Sequence, residues 1–329
     1  MADLSATQSR ASLDTDDGFI GIPVSSLRID EMTEFDLYLP GNAYRQPVLY
    51  RSADLPFTEE ARQRLTSTRV DHLLVKSTDR AAYKRYLERN LASIVSDTSI
   101  PLESRSATLY LSAQEVMHDL MVDPRSSDLV GRSGNIVENT VRLLQNEQGS
   151  FRHLMQVTSY DYYTYTHSVN VFVFSTALMQ RLGFDEATLQ EFGRGALLHD
   201  VGKSQVDPAI LNARGKLTGD EWEEMKRHTI YGCEILEAQG VTSPMILDIT
   251  RHHHEKLGGG GYPDGLQGDE ISQWARITTI ADIFDALTTR RSYKDAMNTF
   301  PSLQLMREHM SEDLDPEYFR AFIDLMAHP

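Results

Sequence analysis

The chain has 329 residues, of which 40% are hydrophobic and 24% charged, with a formal net charge of −16. That length points to two domains, and the composition excludes wholesale disorder. The acidic balance excludes a nonspecific binder of long nucleic acid, which needs a broad basic surface, but not a small anionic substrate held at a metal centre.

The polar opening 1–18 offers nothing to bury and reads as a disordered tail. It lacks the basic start and apolar middle of a signal peptide, and nowhere does an apolar run reach bilayer-spanning length. With Cys233 the single cysteine, there is no disulfide framework and no thiolate-rich zinc site, so a cytoplasmic protein with no membrane contact is expected.

Residues 19–100 read as a small α+β input or docking domain. Alternating apolar runs at 35–39 and 47–51 flank Gly41-Asn42 as a hairpin-like pair, and His72–Lys76 forms a later strand. Thr58-Glu59-Glu60 opens a helix between them. From Asp79 to Ile94 the pattern turns helical, with Tyr83, Tyr86, Leu87 and Leu91 on one stripe. Residues 101–150 read as a helical connector with helices on either side of Asp123-Pro124. Residues 151–329 read as helix throughout, punctuated by Gly183, Pro208, Gly240 and a GGGGYP stretch. The expected fold class is therefore mainly α, an all-helical C-terminal domain behind a small α+β unit.

Seven of the eleven histidines fall between His153 and His254, several beside acids. His199-Asp200 ends the apolar stretch Ala196-Leu197-Leu198. His167, His228 and the run His252-His253-His254-Glu255 lie on predicted helices, and Asp282 sits in the apolar helix 277–287, where an unpaired carboxylate is costly. Imidazole and carboxylate together are natural ligands for divalent first-row metals. Singly, His228 could be a satisfied interface histidine, His252 a solvated neighbour, and Asp282 a partner of Arg276 or Arg291; together they point to metal.

The order His167, His199-Asp200, Lys203, His228, His253-His254-Glu255, Gly261-Tyr262-Pro263, Asp282, Arg291, Lys294 resembles the HD-GYP domains, a branch of the HD phosphohydrolases, over about 151–319. The resemblance implies hydrolysis of the bacterial second messenger cyclic di-GMP, and the expected product is pGpG, with a further cut to GMP left open. It implies that His167, His199, Asp200 and Asp282 hold one divalent ion, with iron or manganese expected. Asp200 would bridge to a second ion on His228, His253 and His254. Asp200 and Lys203 would be catalytic, and Lys203, Tyr262, Arg291 and Lys294 would meet substrate. The chemistry is coherent without the name: two ions sharing Asp200 would lower the pKa of a bridging water and clamp the phosphate, with Lys203 a helical turn away as a point charge.

Two departures from the family pattern matter. Tyr163 stands where some members carry a Glu that ligates a third metal, which favours two. Gly258 and Gly260 replace polar residues, so the loop before Tyr262 is expected to be less ordered and turnover slower or base preference altered. The rival readings are a noncatalytic nucleotide sensor or scaffold and an HD hydrolase of another cyclic dinucleotide. For the N-terminal unit, a role in dimerisation or in docking a protein partner is expected only from its place ahead of the catalytic domain.

Overall fold

The structure, a computed structural model, describes residues 18–41, 46–126, 128–158, 163–213, 215–289 and 296–329. The predicted tail up to residue 17, Asn42, Arg291 and Lys294 lie outside these. Two compact units result, Met1–Thr108 and Leu109–Pro329.

The first unit contains β1 (Phe19–Pro23), β2 (Leu37–Leu39), β3 (Val48–Arg51), α1 (Glu59–Ser67), β4 (His72–Lys76) and α2 (Arg80–Ser96). Its sheet is antiparallel in the order β1-β4-β2-β3, with Phe19 opposite Lys76 and Pro23 opposite His72. Alternation places Ile20, Ile22, Leu73 and Val75 in the core with Leu65 of α1 and Tyr83, Tyr86 and Leu87 of α2. Thr58 caps α1 by accepting from the Ala61 N–H. The predicted runs at 35–39 and 47–51 do pair, but β2 begins only at Leu37, because Phe35 leaves the sheet to pack edge-on against Tyr83 and Tyr86, each at 5.6 Å.

Helix α3 (Leu102–Val122) crosses the division. It is followed in the second unit by α4 (Leu129–Asn146), α5 (Ser150–Val157), α6 (Thr164–Arg181), α7 (Glu186–Leu198), α8 (Pro208–Leu211), α9 (Gly219–Lys226), α10 (His228–Ala238), α11 (Pro244–His252), α12 (Gln273–Thr288), α13 (Thr299–His309) and α14 (Pro316–Ala327). The mainly helical class with a small α+β part is borne out. The stretch 101–150 is more than a connector, however: α4 packs on α6 and α7 and completes the bundle.

Helix α6 is the axis of this unit. Every residue from Thr166 to Met179 is buried, polar ones such as His167 and Asn170 included, and α4, α7, α12 and α14 surround it. Helix α11 lies against α7, α10 and α12, so the ends of α7 and α11, the start of α10 and the middle of α12 converge near the first turn of α6. Asp185, Ser243, Ser272 and Asp315 cap α7, α11, α12 and α14, which sets where these helices begin.

Candidate metal centre

Each predicted ligand reaches one point by a separate route. His167 lies in the first turn of buried α6, and His199 and Asp200 follow the end of α7. A short 3-10 turn, Val201–Gln205, then carries Lys203 back toward Asp200. That turn lies so close to α10 that a Cβ on Gly202 would sit 1.9 Å from the His228 carbonyl oxygen. No other residue fits there, and the contact is what brings His228, the first residue of α10, alongside Asp200.

The two oxygens of Asp200 face different partners. Oδ2 lies 3.4 Å from Nε2 of both His167 and His199. Oδ1 lies 3.4 Å from His228 Nε2 and 3.7 Å from His253 Nε2. Asp282 also spans the cluster, with Oδ1 3.0 Å from His167 Nε2 and Oδ2 3.5 Å from His254 Nδ1. Donor atoms thus fall into two mutually close sets, one of His167, His199 and Asp282 and one of Asp200, His228, His253 and His254.

The far nitrogens of four imidazoles are already committed. His199 Nδ1 donates to the Ala196 carbonyl at 2.7 Å, His228 Nδ1 to Met225 at 2.6 Å, and His253 Nδ1 to Ile249 at 3.0 Å. His167 Nδ1 donates to Asp285 Oδ2 at 2.7 Å. Since a carbonyl can only accept, the rings of His199, His228 and His253 hold a proton on Nδ1, and in the neutral ring this turns the Nε2 lone pair to the centre, the state a metal requires; the Asp285 carboxylate favours the same tautomer in His167. Burial pushes His228 down to about 3, against the pull of Asp200, and also lowers His199, so both rings are neutral at physiological pH. Burial works to raise Asp200, but the Lys203 ammonium leads the groups that outweigh it and hold that carboxyl well below its usual range.

The residues fit a divalent cation. His199 Nε2, in one donor set, and Asp200 Oδ1, in the other, are buried without a hydrogen-bond partner, a costly arrangement that a cation at each set would relieve. The donor set is nitrogen and oxygen only, suited to first-row divalent ions.

The residues quoted around these ligands divide. Lys203 Nζ donates to Asp200 Oδ2 at 2.5 Å. The Tyr262 ring lies 4.7 Å from that of His254, and burial raises its hydroxyl well above the ordinary phenol range, so it stays protonated. His252 is not in the cluster; its nitrogens bond Asp248 at 2.8 Å and Asp264 at 2.9 Å. Arg276 pairs with Asp315 at 3.2 Å, which removes it as a partner for Asp282. Tyr163 is 57% exposed at the N-cap of α6 and stacks on Tyr165 at 5.3 Å.

The segment after the glycines is tied to one buried carboxylate. Buried Glu255 accepts backbone N–H groups from Asp264, Gly265 and Leu266 at 2.7, 3.0 and 3.1 Å. Gly259 and Gly260 have φ of +89° and +77°, and a Cβ on Gly261 would lie 2.5 Å from the Glu255 Cα. Glycine is required there by backbone sign and close approach, and Glu255 ties down the segment that follows Tyr262-Pro263.

Sequence reasoning missed Asp285. Besides His167, it accepts from Asn170 Nδ2 at 2.7 Å and Thr289 Oγ1 at 3.0 Å, and Asn170 Oδ1 in turn accepts from the Tyr110 hydroxyl at 2.6 Å. A signal was present, since Asp285 is a second carboxylate in the apolar helix that made Asp282 conspicuous.

The family model described as the HD domain matches residues 139–318. The chain belongs to the HD-domain family. With that family and this cluster, the site is a divalent-metal centre, and the HD-GYP resemblance read from the motif run is borne out. A cyclic di-GMP phosphodiesterase of Pseudomonas aeruginosa is 33% identical over 67% of this chain and 54% of its own length. A 3'3'-cGAMP-specific phosphodiesterase of Vibrio cholerae is 42% identical over 48% of this chain and 34% of its own. The chain thus spans about half the first relative's length and a third of the second's. The solved structure of Bd1817, a HDG"Y"P protein from Bdellovibrio bacteriovorus, shares the fold with TM-score 0.65 at 21% identity, over 94% of this chain and 99% of that one. Among the described residues no helix is long and apolar enough to cross a membrane.

Proposed function

We propose that this HD-domain chain hydrolyses the phosphodiester bonds of cyclic di-GMP, releasing pGpG or GMP. The observation that carries the reading is Asp200, with one oxygen facing His167 and His199 and the other His228 and His253, the arrangement of a bridging carboxylate. The phosphodiesterase names of the similar proteins support it. His167, His199, Asp200 and Asp282 would hold one ion, and Asp200, His228, His253 and His254 the second, with iron or manganese suited to the donors. Two such ions supply a nucleophilic water at neutral pH and positive charge against the nonbridging phosphate oxygens.

The chain's own residues do the rest. Asp285 fixes the tautomer and angle of His167. Lys203, with its ammonium on Asp200, is a point charge beside the phosphate position and a catalytic group together with Asp200. Tyr262, held over His254, walls the substrate side. Arg291 and Lys294 are further substrate contacts by family resemblance, outside the described residues. Tyr163, exposed and stacked on Tyr165, supports two ions rather than three.

Purified protein reconstituted anaerobically with iron or manganese should release pGpG or GMP. Tight nucleotide binding with no product under any metal condition would sink the reading. The 42% identity to a 3'3'-cGAMP-specific enzyme favours one second reading, a mixed cyclic dinucleotide as substrate, which product analysis over a nucleotide panel separates.

The single cysteine supports a cytoplasmic setting. For the N-terminal unit we propose dimerisation or docking of a protein partner, supported by exposed Val48 and Leu49 on the edge strand β3. Removal of residues 1–108, which leaves α4 on its bundle, should change oligomeric state or activity; if both persist, that role is gone.

A further inference from the structure

A large aromatic side chain stands at the rim of the metal centre. Trp222 on α9 is 46% exposed, although tryptophan is a side chain that folding normally covers. It makes an edge contact with the Tyr262 ring at 5.9 Å and 81°. Tyr262 in turn leans over His254 at 4.7 Å and meets His228 at 6.3 Å. Trp222 is therefore two ring contacts from the metal ligands, within the reach of a ribose from a phosphate held there.

Its placement is built in from both ends of α9. Thr218 and Glu221 form a reciprocal capping box at the helix start, with the Thr218 N–H donating to Glu221 Oε2 at 2.7 Å. At the other end Met225 accepts the Nδ1 proton of His228 at 2.6 Å, so the helix that carries the indole also orients a metal ligand. The Tyr262 edge contact occupies one side of the indole and leaves about half of its surface in solvent.

Resting on the proposed cyclic-dinucleotide reading, we infer that Trp222 is a substrate-binding wall on which one purine base stacks while its phosphate lies at the Asp200 centre. Base stacking on an exposed indole is strong and tolerant of base identity. The wall therefore selects for a purine dinucleotide over a small phosphodiester without choosing guanine over adenine.

The test compares wild type with Trp222→Ala and Trp222→Phe in the full chain. Trp222→Ala should raise the KM for cyclic di-GMP about tenfold, with kcat and metal content kept, and Trp222→Phe should restore most of it. A second readout needs no turnover. In metal-loaded protein, a phosphorothioate analogue of cyclic di-GMP that resists cleavage should quench tryptophan emission in wild type but not in Trp222→Phe, where Trp274 remains as reference, and dimethyl phosphate should quench neither. An unchanged KM in Trp222→Ala, or equal quenching in wild type and Trp222→Phe, overturns the inference while leaving the phosphodiesterase reading intact. Should wild type cleave no cyclic dinucleotide, that reading fails and the emission titration still decides the role of Trp222.

Discussion

Asp285→Ala removes a carboxylate that touches no predicted ligand position except through His167. Three buried donors lose their acceptor: His167 Nδ1 at 2.7 Å, Asn170 Nδ2 at 2.7 Å and Thr289 Oγ1 at 3.0 Å. Bonds to an ionised acceptor contribute about 1.5–3 kcal/mol each, and losing several at one buried site does not add fully, so about 4 kcal/mol is expected. At about 2–4 °C per kcal/mol for a unit of this size, the melting temperature should fall by about 10 °C. His167 would also be free to rotate or change tautomer, which should weaken the ion on His167, His199 and Asp282 by about 10–100-fold. The second ion, which Asp200, His228, His253 and His254 are proposed to hold, should be retained more tightly, since the bonds of Asp285 go to His167, Asn170 and Thr289. The assay is metal content after graded chelator dialysis, with thermal unfolding in parallel. Equal melting temperatures and two ions lost in step, as in wild type, would refute the assignment of Asp285 as the residue that positions His167.

Other substitutions probe separate parts of the site. Gly202→Ala places a Cβ 1.9 Å from the His228 carbonyl oxygen and should cost several kcal/mol, read as loss of cooperative folding or of the second ion. Glu255→Gln removes the charge that three loop N–H groups share, so amide exchange of Asp264, Gly265 and Leu266 should quicken and the KM rise, with metal content unchanged. In the first unit, the Ser99 hydroxyl and then Arg28, at 2.6 Å, hold Asp97 down to about 2 from an ordinary 3.8. A lowered carboxyl pKa contributes stability that is present above 3.8 and lost as pH falls toward 2. Asp97→Asn should therefore cost about 1 kcal/mol at pH 6 and progressively less below pH 4, by urea unfolding at each pH.

The site was more legible in the sequence than the fold around it. His and Asp within apolar helices are conspicuous because burial without a partner is costly, and the order of the motifs supplied the rest. Thr58 and the alternation of His72–Lys76 marked their elements for local reasons, a cap and a period of two. The sheet order β1-β4-β2-β3 depends on which strands meet across the chain, and no local pattern encodes it. The same holds for Asp285 with Asn170, a pair joined only when α12 packs on α6. The role of Glu255 was not legible either, because the groups it gathers are the backbone N–H groups of Asp264, Gly265 and Leu266, which composition does not reveal.

The central claim is a two-metal phosphodiesterase bridged by Asp200. The direct measurement is metal stoichiometry of the anaerobically reconstituted protein and of Asp200→Ala, with nucleotide products from each. Two ions per chain and release of pGpG or GMP in wild type, with both lost in Asp200→Ala, is the predicted result. Three ions per chain, or product formation that Asp200→Ala leaves unchanged, would contradict it.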